Sequence, residues 1–316
     1  MVAGYSRRTF VTVLGCSLAA APVVLALAGC SSNGSSSGDG TASTSSSSSK
    51  SASAASSSDS FKLVSTGKLT IGSDLAYPPM EYMDGNEPAG FGVAMMQEVC
   101  DRIGLECDFL SPQNFDTLIT QVAAGTTMDC AVSSITITDS RLEEVDFSDP
   151  YYDSNQAIVV LKDSGIASRD ELDGQPVAAQ SGSTGEDWVR ENLKDSEVTV
   201  FTTPAEALAS LRTGAVVAVV YDEPVAENNV AGEYDDCEIL DVIATGEQYG
   251  IAINKDNDAL REAIDSALAD MKSDGTLDEL KKVWIEGSGK AASSASDGKS
   301  SSASSSATDR ASSSKD

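Results

Sequence analysis

The residues best suited to bind a charged small molecule stand where predicted strands end. After a short apolar strand, the segment 133–141 holds five hydroxyl residues and Arg141. An arginine forks onto a carboxylate, and hydroxyls and free N–H groups at a helix start add donors. The segment is therefore able to bind a carboxylate. A helix cap with a surface arginine, paired to Glu144 or Asp146, explains the same residues.

Two further clusters follow predicted strands in the second half of the chain. The loop 180–185 reads Gln-Ser-Gly-Ser-Thr-Gly, and its glycines allow backbone N–H groups to point at an anion. It lacks the Gly-Lys pair of a phosphate loop, and a plain turn is the alternative. Asp222 ends the apolar run 215–221. It is placed to accept an ammonium at the sheet edge where ligands gather, or to cap the next helix.

The fourth cluster is aromatic and acidic. Asp74 and Tyr77 precede two prolines that hold an extended loop, and Phe115 begins a predicted helix. Core packing explains these rings equally well, since aromatics more often fill cores than line sites.

Composition excludes several classes of function. The chain has 316 residues, no histidine, and 21 Lys+Arg against 49 Asp+Glu, a net charge of −28. A nucleic-acid groove needs clustered cations, and imidazole bases, Ser-His-Asp triads and His₃ zinc sites need histidine. Cys100 and Cys107 lack the partners of a zinc site. We expect no catalytic residues, no metal and no cofactor.

Both ends of the chain differ from globular sequence. Residues 1–29 read as a signal peptide, and the small residues before Cys30 resemble a bacterial lipobox, which would make Cys30 the lipidated N-terminus. Arg7 and Arg8 resemble a twin-arginine signal, with an ordinary Sec signal or an uncut anchor as alternatives. Residues 30–66 are predicted to be a lipidated cysteine and a serine-rich linker, and 287–316 a disordered serine-rich tail.

Between these ends, strand and helix signals alternate, which predicts an α/β fold with mainly parallel sheets. Two such series, before and after about residue 155, predict two lobes. The predicted strands are 69–72, 106–110, 130–133, 156–161, 177–179, 198–201 and 215–221. The predicted helices are 93–103, 115–124, 186–192, 205–211, 259–272 and 277–284.

Taken together, these clusters resemble the extracellular solute-binding proteins of polar amino-acid ABC importers. The likeness is to the lysine/arginine/ornithine-, histidine- and glutamine-binding type. The matching residues are Asp74-x-x-Tyr77-x-Pro79, Gly90-Phe91, Phe115-Asp116-x-Leu118-Ile119, Ser133-Ser134-x-Thr136-Ile137-Thr138-x-x-Arg141, Phe147-Ser148-x-Pro150-Tyr151 and Gly182-Ser183-Thr184.

The resemblance implies the two-lobe, type II periplasmic-binding-protein fold with two hinge crossovers, near 154–156 and 248–251. Lobe one would comprise 67–154 with 249–286, and lobe two 155–248. The resemblance also implies a disulfide between Cys100 and Cys107. The sequence leaves Cys130 and Cys237 as free thiols or a pair.

The same resemblance assigns ligand contacts residue by residue. Arg141 would hold the ligand α-carboxylate, with Thr136 and the backbone around Ser134 and Thr184. Asp222 would accept the α-ammonium. The remaining implied contacts are Tyr77 and Phe115 around the side chain, Asp74 at its distal end, and Ser183 in the second-lobe loop.

Two departures concern the ligand's side chain. Gly92 stands where the family often has an aspartate, and Gln180 replaces a commonly apolar residue. Both departures weaken the expectation that the ligand is lysine or arginine, and they leave polar neutral amino acids as possible ligands.

The expected function is a non-enzymatic, monomeric receptor. It would be lipid-anchored on the extracytoplasmic face of the cell membrane and deliver a polar L-amino acid to an ABC permease, without binding nucleic acid. The alternatives are an exported dehydratase-like enzyme, with Glu223 or Asp74 as acid or base, and a receptor that presents ligand to a sensor.

Overall fold

The computed structural model describes residues 61–287, within which thirteen strands and eight α-helices alternate. The strands are β1 (Lys68–Gly72), β2 (Ala76–Tyr77), β3 (Glu81–Asp84), β4 (Glu87–Ala89), β5 (Glu106–Phe109), β6 (Cys130–Ala131), β7 (Asp146–Phe147), β8 (Tyr152–Leu161), β9 (Pro176–Gln180), β10 (Glu197–Phe201), β11 (Ala218–Asp222), β12 (Cys237–Tyr249) and β13 (Ala252–Ile253). The helices are α1 (Phe91–Ile103), α2 (Leu118–Ala124), α3 (Asp139–Glu144), α4 (Thr184–Asn192), α5 (Pro204–Arg212), α6 (Glu223–Ala231), α7 (Asp258–Asp274) and α8 (Thr276–Lys281). The predicted signal peptide, Cys30, the linker up to residue 60 and the tail after Gly287 lie outside the described residues.

The first sheet has the order β5-β1-β6-β13-β7. Its strand β1 pairs in parallel with β5 and β6, as a strand–helix–strand alternation requires, whereas β13 runs antiparallel to both β6 and β7. Leu69 and Ile71 are fully buried. A separate antiparallel sheet, β2-β3-β4, follows β1 and carries Glu81.

The second sheet has the order β10-β9-β11-β8-β12. β9 is parallel to β10 and β11, while β8 is antiparallel to β11 and β12. All five residues of β11 are buried, which agrees with its continuous apolar sequence. Both main sheets are therefore mixed, and the prediction of mainly parallel pairing was wrong for the strands next to the crossovers.

The chain passes between the two sheets twice, and the two passages are paired. β8 enters the second sheet and β12 leaves it, with Tyr152 opposite Tyr249 and Ser154 opposite Glu247. The predicted two-lobe α/β fold with two crossovers is thus what the structure shows. The residue boundaries assigned to each lobe stay a prediction.

Helix α1 begins at Phe91 and packs on the first sheet through Met96 and Val99, both buried in the same core as Leu69 and Ile71. Gly104 ends it in a left-handed conformation, φ 78°. Within residues 61–287, no helix combines the length and apolar composition needed to cross a bilayer.

The disulfide implied between Cys100 and Cys107 is not formed in the structure, where both are free cysteines, as are Cys130 and Cys237. The thiols of Cys100 and Cys107 are nevertheless neighbours, since a hydrogen bond with Cys107 is the largest cause that raises the pKa of Cys100. Their oxidation to a disulfide stays a prediction.

Candidate functional site

The loops at the carboxyl ends of β1 and β6 face those of β9 and β11 across a cleft. Gln180 at the end of β9 donates to Oδ2 of Asp74, which follows β1, at 2.9 Å. The backbone N–H of Asp222, the last residue of β11, donates to the Tyr77 hydroxyl at 3.1 Å. These bonds join residues 106 and 145 positions apart, so the structure brings the predicted clusters together in a closed cleft.

Arg141 extends from the first lobe toward the second. Its guanidinium donates to the carbonyl of Thr136 at 2.6 Å and to the carbonyl of Gly182, in the second-lobe loop, at 3.0 Å. It also lies over the Phe115 ring, 5.6 Å from the centroid. Burial lowers the pKa of Arg141, and the charge of Asp222 is the largest opposing influence. The arginine is therefore a cleft residue and not a surface partner of Glu144 or Asp146.

Asp222 is held by side chains and does not cap a helix. It is 7% exposed; Oδ1 accepts from the amide of Gln156 and Oδ2 from the hydroxyl of Tyr249. Its side chain makes no cap bond to α6, although it stands at the cap position. Burial first, and the charge of Glu247 second, raise the pKa of Asp222 to about 7. A ligand ammonium beside Asp222 would oppose both effects and favour the ionised carboxylate.

Asp74 is also buried, at 5% exposure. Its Oδ1 accepts from the hydroxyl of Ser133 at 2.8 Å, and its Oδ2 from Gln180. Burial raises its pKa, and these two hydrogen bonds oppose the rise.

Glu81 is a third acidic group at the cleft floor and is fully buried. Oε2 accepts from the Ser134 hydroxyl at 2.8 Å, whereas Oε1 has no hydrogen-bond partner. Burial raises the pKa of Glu81 to about 8, and the charge of Asp74 adds to the rise. A Cβ built on Gly92 would overlap Oε1. The absence of a side chain at Gly92 therefore makes the room that this carboxylate occupies.

Glu247 joins the two lobes at the crossover. Thr136 in lobe one and Thr184 in lobe two each donate a hydroxyl hydrogen bond to its Oε2 at 2.8 Å. Gln156 donates to the same oxygen at 3.2 Å. A cavity of about 380 Å³ adjoins these residues, lined by 136–138, Thr184 and 245–248.

The hydroxyls of two predicted ligand contacts have other partners here. Ser183 caps α4 by accepting from the N–H of Glu186 at 3.1 Å, and Ser134 bonds to Glu81. Helix α3 begins at Asp139, and its cap is the side chain of Thr138.

The two rings expected around the ligand side chain lie in different surroundings. Tyr77 is buried against Asp222, and Phe115 is half-buried against Arg141. The ligand roles of both rings stay predictions.

Four residues that the sequence analysis did not single out belong to the site: Glu81, Gln156, Glu247 and Tyr249. One sequence signal was available, since Gln156 is a polar residue at the start of the apolar run 157–161. Glu81 and Glu247 stand among other acidic residues in segments without periodicity, and Tyr249 follows them. The positions of Glu81, Glu247 and Tyr249 in the cleft are therefore visible only from their contacts with residues far away in the sequence.

Known proteins match this chain over nearly all of the residues that the structure describes. Residues 69–287 match the bacterial extracellular solute-binding proteins, family 3. The L-cystine-binding protein TcyJ of Escherichia coli K12 is 29% identical over 227 residues, spanning 71% of this chain and 85% of that protein. The P235GK mutant of ArgBP from T. maritima superposes with a TM-score of 0.66 at 35% identity, covering 70% of this chain and 96% of that one. The ancestral amino-acid-binding protein AncCDT-1, a precursor of cyclohexadienyl dehydratase, gives a TM-score of 0.64 at 32% identity, with coverages of 69% and 96%.

Proposed function

This chain belongs to family 3 of the bacterial extracellular solute-binding proteins, and on that premise we propose that it closes over one polar L-amino acid and delivers it to an ABC importer. The named relatives bind amino acids, and their two-lobe type II fold is shared. In such folds, hinge closure follows from contacts that the ligand makes better in the closed state.

One observation carries the proposal: Arg141 and Asp222 both bond across the same cleft, Arg141 to the carbonyl of Gly182 and the Asp222 N–H to the Tyr77 hydroxyl. A zwitterion needs one cationic fork and one anionic acceptor, and the two residues supply one each. Each pole would be costly to bury alone. Arg141 therefore takes the carboxylate and Asp222 the ammonium.

The groups expected near the distal end of the ligand's side chain favour a ligand whose side chain donates hydrogen bonds. Asp74 and Glu81 both place carboxylates there, and Oε1 of Glu81 has no partner. A carboxylate at Glu81 supplies an acidic group beside Gly92, whose own side chain is missing. A cationic or amide-bearing side chain would donate to these acidic groups, and a cationic one would also favour their ionised forms.

The test is a thermal-shift panel of the twenty amino acids with cystine and ornithine, followed by calorimetry of the ligand that raises Tm. Arg141→Ala should weaken binding by roughly a hundredfold or more, because its partner carboxylate is left buried and unpaired. Arg190→Ala is the matched control, since Arg190 pairs with Glu186 on the face of α4. Micromolar affinity retained by Arg141→Ala would overturn the assignment.

Export and anchoring form a further part of the proposal. The predicted signal peptide and the lipobox-like residues before Cys30 support a lipid anchor on the extracytoplasmic face of the membrane, and the receptor is proposed to be a monomer. Cys30→Ala should abolish labelling by a palmitate analogue and release the protein from the membrane fraction. Unchanged labelling would contradict it.

A dehydratase-like enzyme is the second candidate, supported by the likeness to AncCDT-1 and by a buried Asp222 whose pKa is near neutrality. Glu223, one proposed acid, accepts from Asn155 at 2.9 Å, and Asp74 is committed to Gln180. Turnover of prephenate or arogenate by the purified chain would favour the enzyme. No turnover together with amino-acid binding would favour the receptor.

A further inference from the structure

Glu247 is a carboxylate of the chain itself that lies beside residues expected to contact the ligand's carboxylate. Its Oε2 accepts the hydroxyls of Thr136 and Thr184, each at 2.8 Å. The resemblance assigns Thr136 and the backbone around Thr184 to the α-carboxylate. The charge of Glu247 also acts on Arg141. A carboxylate of the chain itself thus bonds to two residues at the place where the resemblance puts the ligand's carboxylate.

The backbone explains how a strand residue comes to point into the cleft. The pairing of β12 with β8 shifts register between Ile243 and Glu247, and Gly246 within this irregularity has φ +64°. Such bulges re-aim side chains near binding sites. Beyond it, Glu247 is opposite Ser154, at the crossover where both lobes are within reach.

The contacts of Glu247 span the two lobes. Thr136 lies in the loop after β6, and Thr184 is the first residue of α4 in the second lobe. A single oxygen that accepts from both hydroxyls holds the lobes together. Glu247 therefore stabilises the closed cleft through Thr136 and Thr184, two residues that the resemblance places beside the ligand's carboxylate.

Resting on the proposed function, we propose that Glu247 is an internal competitor for the ligand's carboxylate and thereby a specificity-determining residue. It closes the unliganded cleft and must move away before an amino acid binds. The adjoining cavity of about 380 Å³, which Glu247 itself lines, gives its side chain room to do so. A ligand without a carboxylate, such as a decarboxylated amine, does not compete for Thr136 and Thr184.

The experiment compares the wild type with Glu247→Ala and Glu247→Gln, using L-arginine and agmatine as one probe pair and L-lysine and cadaverine as another. Alanine removes the contact, and glutamine keeps its size but not its charge. Glu238→Gln is the matched control because Glu238 is an exposed residue of the same strand. Circular dichroism and Tm verify that each variant is folded.

We expect Glu247→Ala to bind the amino acids roughly tenfold more tightly, the factor expected if about nine-tenths of unliganded molecules are held closed. Glu247→Gln should show a smaller gain. Neither variant should bind agmatine or cadaverine more tightly. Equal gains for amino acid and amine, or weaker amino-acid binding by Glu247→Ala, would overturn the proposal.

Small-angle scattering of the unliganded proteins gives a readout that needs no ligand. The radius of gyration should increase in Glu247→Ala and stay at the wild-type value in Glu238→Gln. An unchanged radius in Glu247→Ala would overturn the internal closure. If the wild type binds no amino acid in the panel, the receptor function fails, while the scattering result still decides whether Glu247 closes the cleft.

Discussion

Tyr249 donates its hydroxyl hydrogen bond to Oδ2 of Asp222, so the last residue of the returning strand β12 bonds to the carboxylate at the end of β11. The hydroxyl oxygen of Ser154 lies 3.0 Å from the same tyrosine hydroxyl. Tyr249 of one crossover and Gln156 of the other therefore both bond to the proposed ammonium acceptor. The hydrogen bonds of the crossovers and the proposed ammonium contact of Asp222 therefore belong to one buried network.

Tyr249→Phe should weaken ligand binding by about tenfold at pH 7, because a hydrogen bond to a charged group contributes about 1.5–3 kcal/mol. The lost bond also favours the protonated form of Asp222, which cannot accept an ammonium proton. Calorimetry measures the effect. Tyr234→Phe is the control, since that ring lies against Arg212. Equal affinities of Tyr249→Phe and the wild type would contradict the role given to this hydroxyl.

Binding should depend on pH through Asp222, whose pKa is raised to about 7 in the closed cleft. Below that value the residue is protonated and must release a proton before it accepts an ammonium. We therefore expect affinity to fall by about tenfold per pH unit as pH decreases from 7 to 5, and to be nearly level above 8. Calorimetry in buffers of different ionisation enthalpy counts the proton released.

Asp222→Asn provides the control for that pH dependence. It should bind weakly at every pH and release no proton. A wild-type affinity that is constant from pH 5.5 to pH 8 would contradict the assignment of Asp222.

Glu81→Gln should stabilise the unliganded protein at pH 8. The pKa of Glu81 is about 8 in the folded state against an ordinary value of 4.5, so between these values the folded state holds a proton that the unfolded state has released. Stability from this group is present at low pH and is lost as pH rises through that range. The substitution should add about 2–4 kcal/mol to the free energy of unfolding at pH 8 and almost nothing at pH 4.5.

Urea unfolding at the two pH values measures the difference. Glu87→Gln, an exposed residue of the neighbouring strand β4, should change stability at neither. A Glu81→Gln protein that is less stable than the wild type at pH 8 would show that Glu81 is ionised and satisfied in the fold.

Oxidation should join Cys100 to Cys107. A closed loop of this length stabilises by about 2–3 kcal/mol in the chain-entropy description. Intact mass and thiol counting under denaturing conditions should find two fewer free thiols in the protein exported from cells than in reduced protein. Cys107→Ser should abolish the difference. Four titratable thiols among the described cysteines of exported protein would contradict the pairing.

Local signals were sufficient where a periodic pattern coincides with burial. The helix predicted at 259–272 is Asp258–Asp274, and the strand predicted at 177–179 is Pro176–Gln180. The strand β12 was missed because it is polar and half-exposed along much of its length, so its partner β8 and not its own sequence defines it.

The site divides in the same way. Arg141 and Asp222 were candidates because polar residues follow predicted strands there, but a helix cap explained each of them locally, and the resemblance to the family favoured the ligand role. Glu81 was not recognisable, because its burial depends on the space beside Gly92, eleven positions further along the chain.

The sequence by itself determined the alternation of strands and helices and the acidic character of the chain. It also supplied the residue types, an arginine and an aspartate, that are able to bind the two charged ends of a zwitterion. These properties follow from local periodicity and composition. Tertiary structure alone decided that Asp222 bonds Tyr249 instead of capping a helix, and that Glu247 reaches two threonines in different lobes. Such choices depend on which distant groups meet in a buried cleft, and a buried polar group takes whichever partner the fold brings to it.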